Sequence, residues 1–228
     1  IRSPRAVYDR AASATCALSP DDVDWDDLFG RIGARWLHTG GIFAGLSDST
    51  HATCIAAMDA ARRHGTIISF DVNFRPKLWS DTGGAEAAQR QADDFATRAD
   101  VVFGVADLDA EITARHDTSR HPSVVANLIR TTHTASLHDL RARAWSAESG
   151  FIATTGYNKI NVLDRIGSGD AFAAGVIAGL LKDHKLSDAI EAGLAHAALT
   201  MTTPGDTSSS DADEINNVIT GSSGDIGR

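Results

Sequence analysis

Cysteine, positive charge and long apolar runs are all scarce in this 228-residue chain, and each shortage closes off a class of protein. Cys16 and Cys54 are its two cysteines; they make no disulfide framework and no metal-ligand spacing, and they fit a reducing, cytoplasmic setting. The longest uncharged apolar run, Ala171 to Leu181, is far short of the roughly 20 residues a membrane-spanning helix needs. No basic stretch followed by an apolar one opens the chain, so no secretion signal is expected. Lysine and arginine number 21 against 30 acidic residues, and a net charge of -9 disfavours nucleic acid and anionic membranes as partners. G-x-S-x-G, G-x-x-x-x-G-K-[ST] and G-x-G-x-x-G are all missing, which removes the main support for hydrolase, P-loop and dinucleotide-binding readings. The nine histidines offer no zinc set: His116/His121 and His133/His138 are each five apart, off the i, i+4 helical spacing. The composition that remains, 43% apolar and 22% charged, is ordinary for a globular chain able to bury a full core.

Periodicity supplies the architecture. Arg35 to Ile42 reads as a strand ending in a Gly-Gly turn, and Ser49 to His64 as a helix closed by Gly65. Thr66 to Asn73 reads as a strand buried on both faces, Gly84 to Ala99 as an alanine-rich helix, and Val101 to Phe103 as a third strand. That alternation implies parallel βαβ units with right-handed crossovers. Asp107 to Arg115 is compatible with a short helix and Val124 to Arg130 with a strand or a helix. Arg143 to Trp145 and Gly150 to Thr155 look like the arms of an antiparallel hairpin. Ser168 to His184 and Ser187 to Met201 are helices, and Ala212 to Ile219 a weaker one before a Gly/Ser-rich end. One α/β domain over residues 1–206 is expected, with a helix and flexible tail over 207–228.

Two segments carry chemistry. In Asp164-Arg165-Ile166-Gly167-Ser168-Gly169-Asp170, two glycines around a serine let consecutive N–H groups point outward at a helix N-terminus, a ready anion site. Asp170 in the first turn of that helix suits a base that takes a proton from a hydroxyl attacking a phosphoryl group. The plain alternative is an N-cap serine, a glycine turn and a favourable first-turn charge. The second segment, Asp71-Val72-Asn73-Phe74-Arg75-Pro76, leaves a central strand at its C-terminal end, where open α/β sheets bind ligands. Arg75 has the planar fork that suits a carboxylate or phosphate, or it pairs with a surface acid.

Together these segments resemble the ribokinase-like (PfkB) family of carbohydrate kinases. Asp164 to Phe172 resembles its D-T-x-G-A-G-D-x-F signature, and Asp71 to Trp79 the D-x-N-x-R-x-x-L-W stretch of its 2-keto-3-deoxygluconate kinase branch. Tyr8-x-Arg10-x-x-Ser13-Ala14, Leu37 to Ile42 and Met201 to Asp206 are similar to three further segments of that branch, in the same order. The resemblance implies a three-layer α/β/α fold with a mostly parallel central sheet. It implies phosphorylation of a sugar or sugar acid by ATP with Mg2+, most simply 2-keto-3-deoxygluconate at a primary hydroxyl. Asp170 would be the catalytic base and Gly167, Ser168 and Gly169 the anion hole, with Asn73 and Arg75 near the nucleotide phosphates. Tyr8, Arg10, Ile42, Arg75 and Asp206 would hold the substrate, the two arginines facing its carboxylate. No side chain is assigned as a metal ligand, a monovalent-cation requirement and a homodimer are left open, and no nucleic acid or membrane partner is expected. The family's β lid and its N-terminal G-G-x-x-x-N segment are not evident; Val105 to Leu108 stands where it carries N-x-x-E, and Thr131 to Arg141 where it carries T-K-G. A kinase for a neutral sugar such as fructose or ribose, and a non-catalytic binding protein on the same fold, are the rival readings.

Overall fold

A computed structural model describes residues 13–75, 84–110 and 123–222. The chain divides into two compact units, Ala6–Val125 and Ala126–Arg228, the second also taking Ile1–Arg5.

The first unit is built on three parallel strands. β1 (Trp36–Gly40) pairs with β2 (Ile67–Asp71), and β2 with β3 (Val101–Phe103), in the register Thr39↔Phe70 and Phe70↔Val102. β2 is buried on both faces, as its unbroken apolar pattern predicts: Ile68, Ser69 and Phe70 are all inaccessible. The one polar member of that trio is satisfied, because Ser69 Oγ accepts from Trp36 Nε1 at 2.8 Å and lies 2.7 Å from His38 Nδ1. β1 stops at Gly40, earlier than its sequence suggests, and the chain turns directly into the short helix α1 (Gly41–Ala44).

Helix α2 (Asp48–Arg63) starts on a reciprocal cap between Ser47 and Thr50 and ends before Gly65, which takes a φ of 72°. Its Cys54, Met58 and Ala61 face the core. Helix α3 (Gly84–Arg98) buries Ala88, Ala92, Phe95 and Ala96, a stripe at helical spacing. Phe95 stacks on Phe70 of β2 with ring centroids 5.0 Å apart, a pair worth about 1 kcal/mol beyond its buried area. A π-helix over Asp27–Gly33 precedes β1 and has no counterpart in the sequence reading.

β4 (Val124–Thr134) begins in the first unit and continues into the second. In the second, β5 (Leu137–Ser146) pairs antiparallel with β6 (Gly150–Ala153), in the register Trp145↔Phe151, and with β7 (Tyr157–Asn161). The expected Arg143-to-Thr155 hairpin is therefore present, and Val124 to Arg130 is strand rather than helix. β5 alternates strictly: His138, Leu140, Ala142, Ala144 and Ser146 are buried, their neighbours less so.

Two long helices follow. α4 (Ser168–Leu181) and α5 (Leu186–Met201) meet backbone to backbone: a methyl added at Gly175 would lie 2.6 Å from Gly193 Cα, and one at Gly179 2.9 Å from Ala189 Cα. α5 also packs against β5 and β7. The last helix, α6 (Ala212–Thr220), begins on a reciprocal cap between Asp211 and Glu214 and lies against α5. No helix among the described residues is long and apolar enough to cross a membrane.

Candidate active site

One group of the predicted site residues lies on the glycine loop and α4 of the second unit. Gly167 is the N-cap of α4 in the left-handed conformation, with φ 80°, and its carbonyl accepts the first helical bond from Ala171 N–H at 2.8 Å. The amides of Ser168, Gly169 and Asp170 precede that bond and so crown the positive end of the helix. Two demands make Gly167 a glycine: its φ, and the Asp206 carbonyl oxygen, which a methyl at this position would approach to 2.3 Å. Gly169 answers a different need, since a methyl there would meet nothing within 4 Å and would project into open space.

Ser168 does not cap the helix. It is 3% exposed and its Oγ donates to the Arg165 carbonyl at 3.0 Å, so its hydroxyl is spent on the loop itself. Asp164 Oδ1 accepts from Ile166 N–H at 3.0 Å, and the amides of Leu163 and Asp164 donate to the Met201 carbonyl at 2.9 and 3.4 Å. These bonds stitch the loop to the end of α5. Asp170 is exposed on the first turn of α4. Asp206 is exposed too; its Oδ1 accepts from Thr207 Oγ1 at 3.4 Å, and its backbone is what Gly167 packs against.

A second group of the predicted residues lies in the first unit, at the C-terminal ends of β1 and β2. A methyl at Gly41 would lie 2.3 Å from the Val72 carbonyl oxygen, so the Gly-Gly turn is the condition for β1 and the exit of β2 to converge. Ile42, in the first turn of α1, is half-buried. Gln91 of α3 holds that turn, its Nε2 donating to the Ala44 carbonyl at 3.2 Å and hydrogen-bonding His51 Nδ1. Asp71 Oδ1 accepts from Asn73 N–H at 3.0 Å, which bends the chain and puts Asn73 at a φ of 39°. The Asp71 carboxylate also faces Gly104, where a methyl would come within 3.0 Å of it.

Arg75 is exposed; its Nη1 donates to the Phe74 carbonyl at 3.2 Å, and it forms no ion pair among the described residues. A cavity of about 340 Å³ opens beside this corner, lined by Gly41, Phe70, Val72, Phe74 and Gly104, with Gln89 and Gln91 supplying polar groups. Tyr8 and Arg10 lie outside the described residues.

In the stretch from Val105 that replaces the family's N-x-x-E, Asp107 Oδ1 accepts from Ala110 N–H at 3.0 Å, starting a helical turn, and Leu108 is buried. Thr131 to Arg141 is the β4–β5 hairpin, and Arg141 donates to the Tyr157 carbonyl and Asn158 Oδ1. Sequence reasoning passed over Gln91 and His196, whose partners lie far along the chain or across an irregular loop; no local motif marks either. His196 of α5 stands 2.8 Å from Ser208 Oγ through its Nε2. Burial pushes its imidazole below the usual range, partly opposed by a hydrogen bond with the Ala171 backbone.

A helix N-terminus left open at Gly169, with the exposed Asp170 carboxylate on its first turn, is an arrangement that can receive an anionic group beside a proton acceptor. The chain belongs to the pfkB family of carbohydrate kinases, whose model matches residues 7–213. It is 27% identical over 232 residues to a 2-dehydro-3-deoxygalactonokinase of Haloferax volcanii, covering 100% of this chain and 70% of that one. It is 31% identical over 209 residues to a 2-dehydro-3-deoxygluconokinase of Bacillus subtilis, covering 89% of this chain and 60% of the relative. The crystal structure of a 2-dehydro-3-deoxygluconokinase from Thermotoga maritima superposes with a TM-score of 0.80 at 26% identity, over 94% of this chain and 68% of that one. A ribokinase II of E. coli in complex with ATP and Mg2+ shares the fold at a TM-score of 0.71 and 18% identity, over 94% of this chain and 67% of that one. The expected ribokinase-like architecture, a mixed and mostly parallel sheet with helices on both sides, is thereby established.

Proposed function

We propose that this chain transfers the γ-phosphoryl group of ATP to a primary hydroxyl of a 2-keto-3-deoxy sugar acid. The observation that carries the reading is the start of α4: a crowded Gly167, an open Gly169 and an exposed Asp170 within one turn. Asp170 accepts the hydroxyl proton as the sugar oxygen attacks phosphorus. The new O–P bond forms as the bond to the β-phosphate oxygen breaks, and ADP leaves. The amides of Ser168, Gly169 and Asp170 meet the charge that gathers on the moving group. We assign the substrate carboxylate to Arg75 and Arg10, the rest of the substrate to Tyr8, Ile42 and Asp206, and the nucleotide phosphates to Asn73 and Arg75.

No cluster of three metal-ligating side chains occurs among the described residues. Mg2+ commonly binds through substrate phosphates and water with one or two carboxylates, so the residues present fit a magnesium ion that arrives on the nucleotide. It would neutralise phosphate charge there. Residues 1–206 are assigned the reaction and 207–228 a supporting helix and tail, in a cytoplasmic setting.

Release of ADP from Mg-ATP is the test, with 2-keto-3-deoxygluconate, gluconate, fructose, ribose and no sugar. Turnover confined to the keto-deoxy acid is expected. Equal turnover of fructose or ribose removes the sugar-acid assignment, and silence with every sugar in protein that still binds ATP removes the kinase reading.

A further inference from the structure

We propose that His196 is a positioning residue of the phosphoryl-transfer site: by holding Ser208, it sets the Asp206 backbone against Gly167 and so fixes the loop that presents Asp170. The inference rests on the kinase reading above. The stretch from Thr202 to Ser210 is neither helix nor strand, and Gly205 within it takes a φ of 92°. Its near end is tied to α5, where Thr202 N–H donates to the Leu199 carbonyl at 2.9 Å and Thr203 Oγ1 to the Thr200 carbonyl at 3.0 Å. Its far end is tied by His196, whose Nε2 lies 2.8 Å from Ser208 Oγ; that hydroxyl in turn accepts from Ser210 N–H at 3.2 Å. Asp206 sits between the two ties.

The contact that matters is tight. Gly167 has room for a hydrogen and nothing larger, because the Asp206 carbonyl oxygen would stand 2.3 Å from any methyl. A loop free to drift by an ångström would leave the glycine turn without its wall. The turn governs where the first three amides of α4 point. His196 also stands by the Ala171 backbone, one residue beyond Asp170, so one imidazole serves both sides of this joint. A neutral ring suits the arrangement: Nε2 accepts from the Ser208 hydroxyl, whose oxygen is then left to accept from Ser210.

The test compares His196→Ala, Ser208→Ala and the double variant, using kcat, KM and amide exchange. Each single change is expected to lower kcat about tenfold while the sugar KM stays within roughly threefold, because geometry rather than binding is lost. The double variant is expected to be no worse than the poorer single one, since both cut the same tie. Unchanged kcat, or a double effect equal to the product of the singles, overturns the proposal. Exchange at the Ala171 amide, which donates to Gly167, gives an answer independent of turnover. Faster exchange in both single variants supports the proposal, and unchanged exchange overturns it. If the unaltered chain phosphorylates none of the sugars, it is the kinase reading that fails, and the exchange measurement alone decides the role of His196.

Discussion

In each unit the candidate residues stand beside glycines, and those glycines are not all of one kind. At the end of β1, Gly41 exists because the Val72 carbonyl would collide with any side chain, and Gly40 is nearly as confined, with the Asp71 carbonyl 3.0 Å from an added methyl. These glycines let two stretches of backbone touch. At the start of α4 one glycine of that kind, Gly167, is followed two residues later by one of the other kind, Gly169, which touches nothing. A glycine crowded by its own protein is architecture. A glycine facing open space at a helix N-terminus leaves room for something that is not protein.

The most drastic way to sharpen this contrast is Asp170→Asn, which keeps the open turn and removes the base. The change is expected to lower kcat by roughly 10²- to 10⁴-fold with ATP affinity retained, measured by steady-state kinetics and nucleotide titration. At the other corner, Arg75→Ala is expected to raise the sugar-acid KM by roughly 10- to 100-fold, as befits the loss of a charged hydrogen bond. The ATP KM should move much less; an equal rise in both would shift Arg75 to the nucleotide.

The glycines themselves can break the comparison. Gly167→Ala is expected to cost about 2–4 kcal/mol in urea unfolding, because a positive φ and a backbone clash act together. Gly169→Ala is expected to leave stability within about 1 kcal/mol while raising the ATP KM, since an alanine in a helix is no burden to the fold. If Gly169→Ala unfolded the protein instead, the division into the two kinds of glycine would be wrong.

The smallest effect concerns the core behind the β1 corner. Burial pushes the Cys54 thiol up to about 11, from 9.0. A group with a raised folded pKa contributes stability that is fully present below the unfolded value and is lost as pH rises through the folded one. Stability should therefore decline between about pH 9 and 11, and Cys54→Ala should flatten that slope; an unchanged slope would assign the decline to other groups.

Much of this was legible in residue order. The βαβ alternation, the doubly buried β2 and the helices from Ser168 and Leu186 follow from periods of two and 3.6 residues, which are local. The loop from Asp164 to Asp170 was legible for the same reason: glycines, a helix start and an acid stand side by side. What escaped depends on residues far apart in the chain. Nothing beside Gly167 says that Asp206 will press on it and nothing beside Gly169 says that its surroundings will be empty, so their roles could not be told apart. Ser168 reads as a cap until its hydroxyl is seen turned back to Arg165. β7 and the full length of β5 were missed because arginine and asparagine interrupt their patterns, and Arg141 meets Asn158 only once the two strands pair.

The glycine-lined seam between α4 and α5 has a consequence for the order of assembly. Leu181 and Leu186 are separated by a short turn, and Gly175, Gly179, Ala189 and Gly193 let the two helices zip together with no side-chain layer to arrange between them. Contacts between sequence neighbours close quickly, whereas pairing β1 to β2 requires a loop that spans all of α2. The helix that presents Asp170 is thus expected to gain its shape early in folding, with its seam already sealed while the strand corner that holds Arg75 is still being assembled.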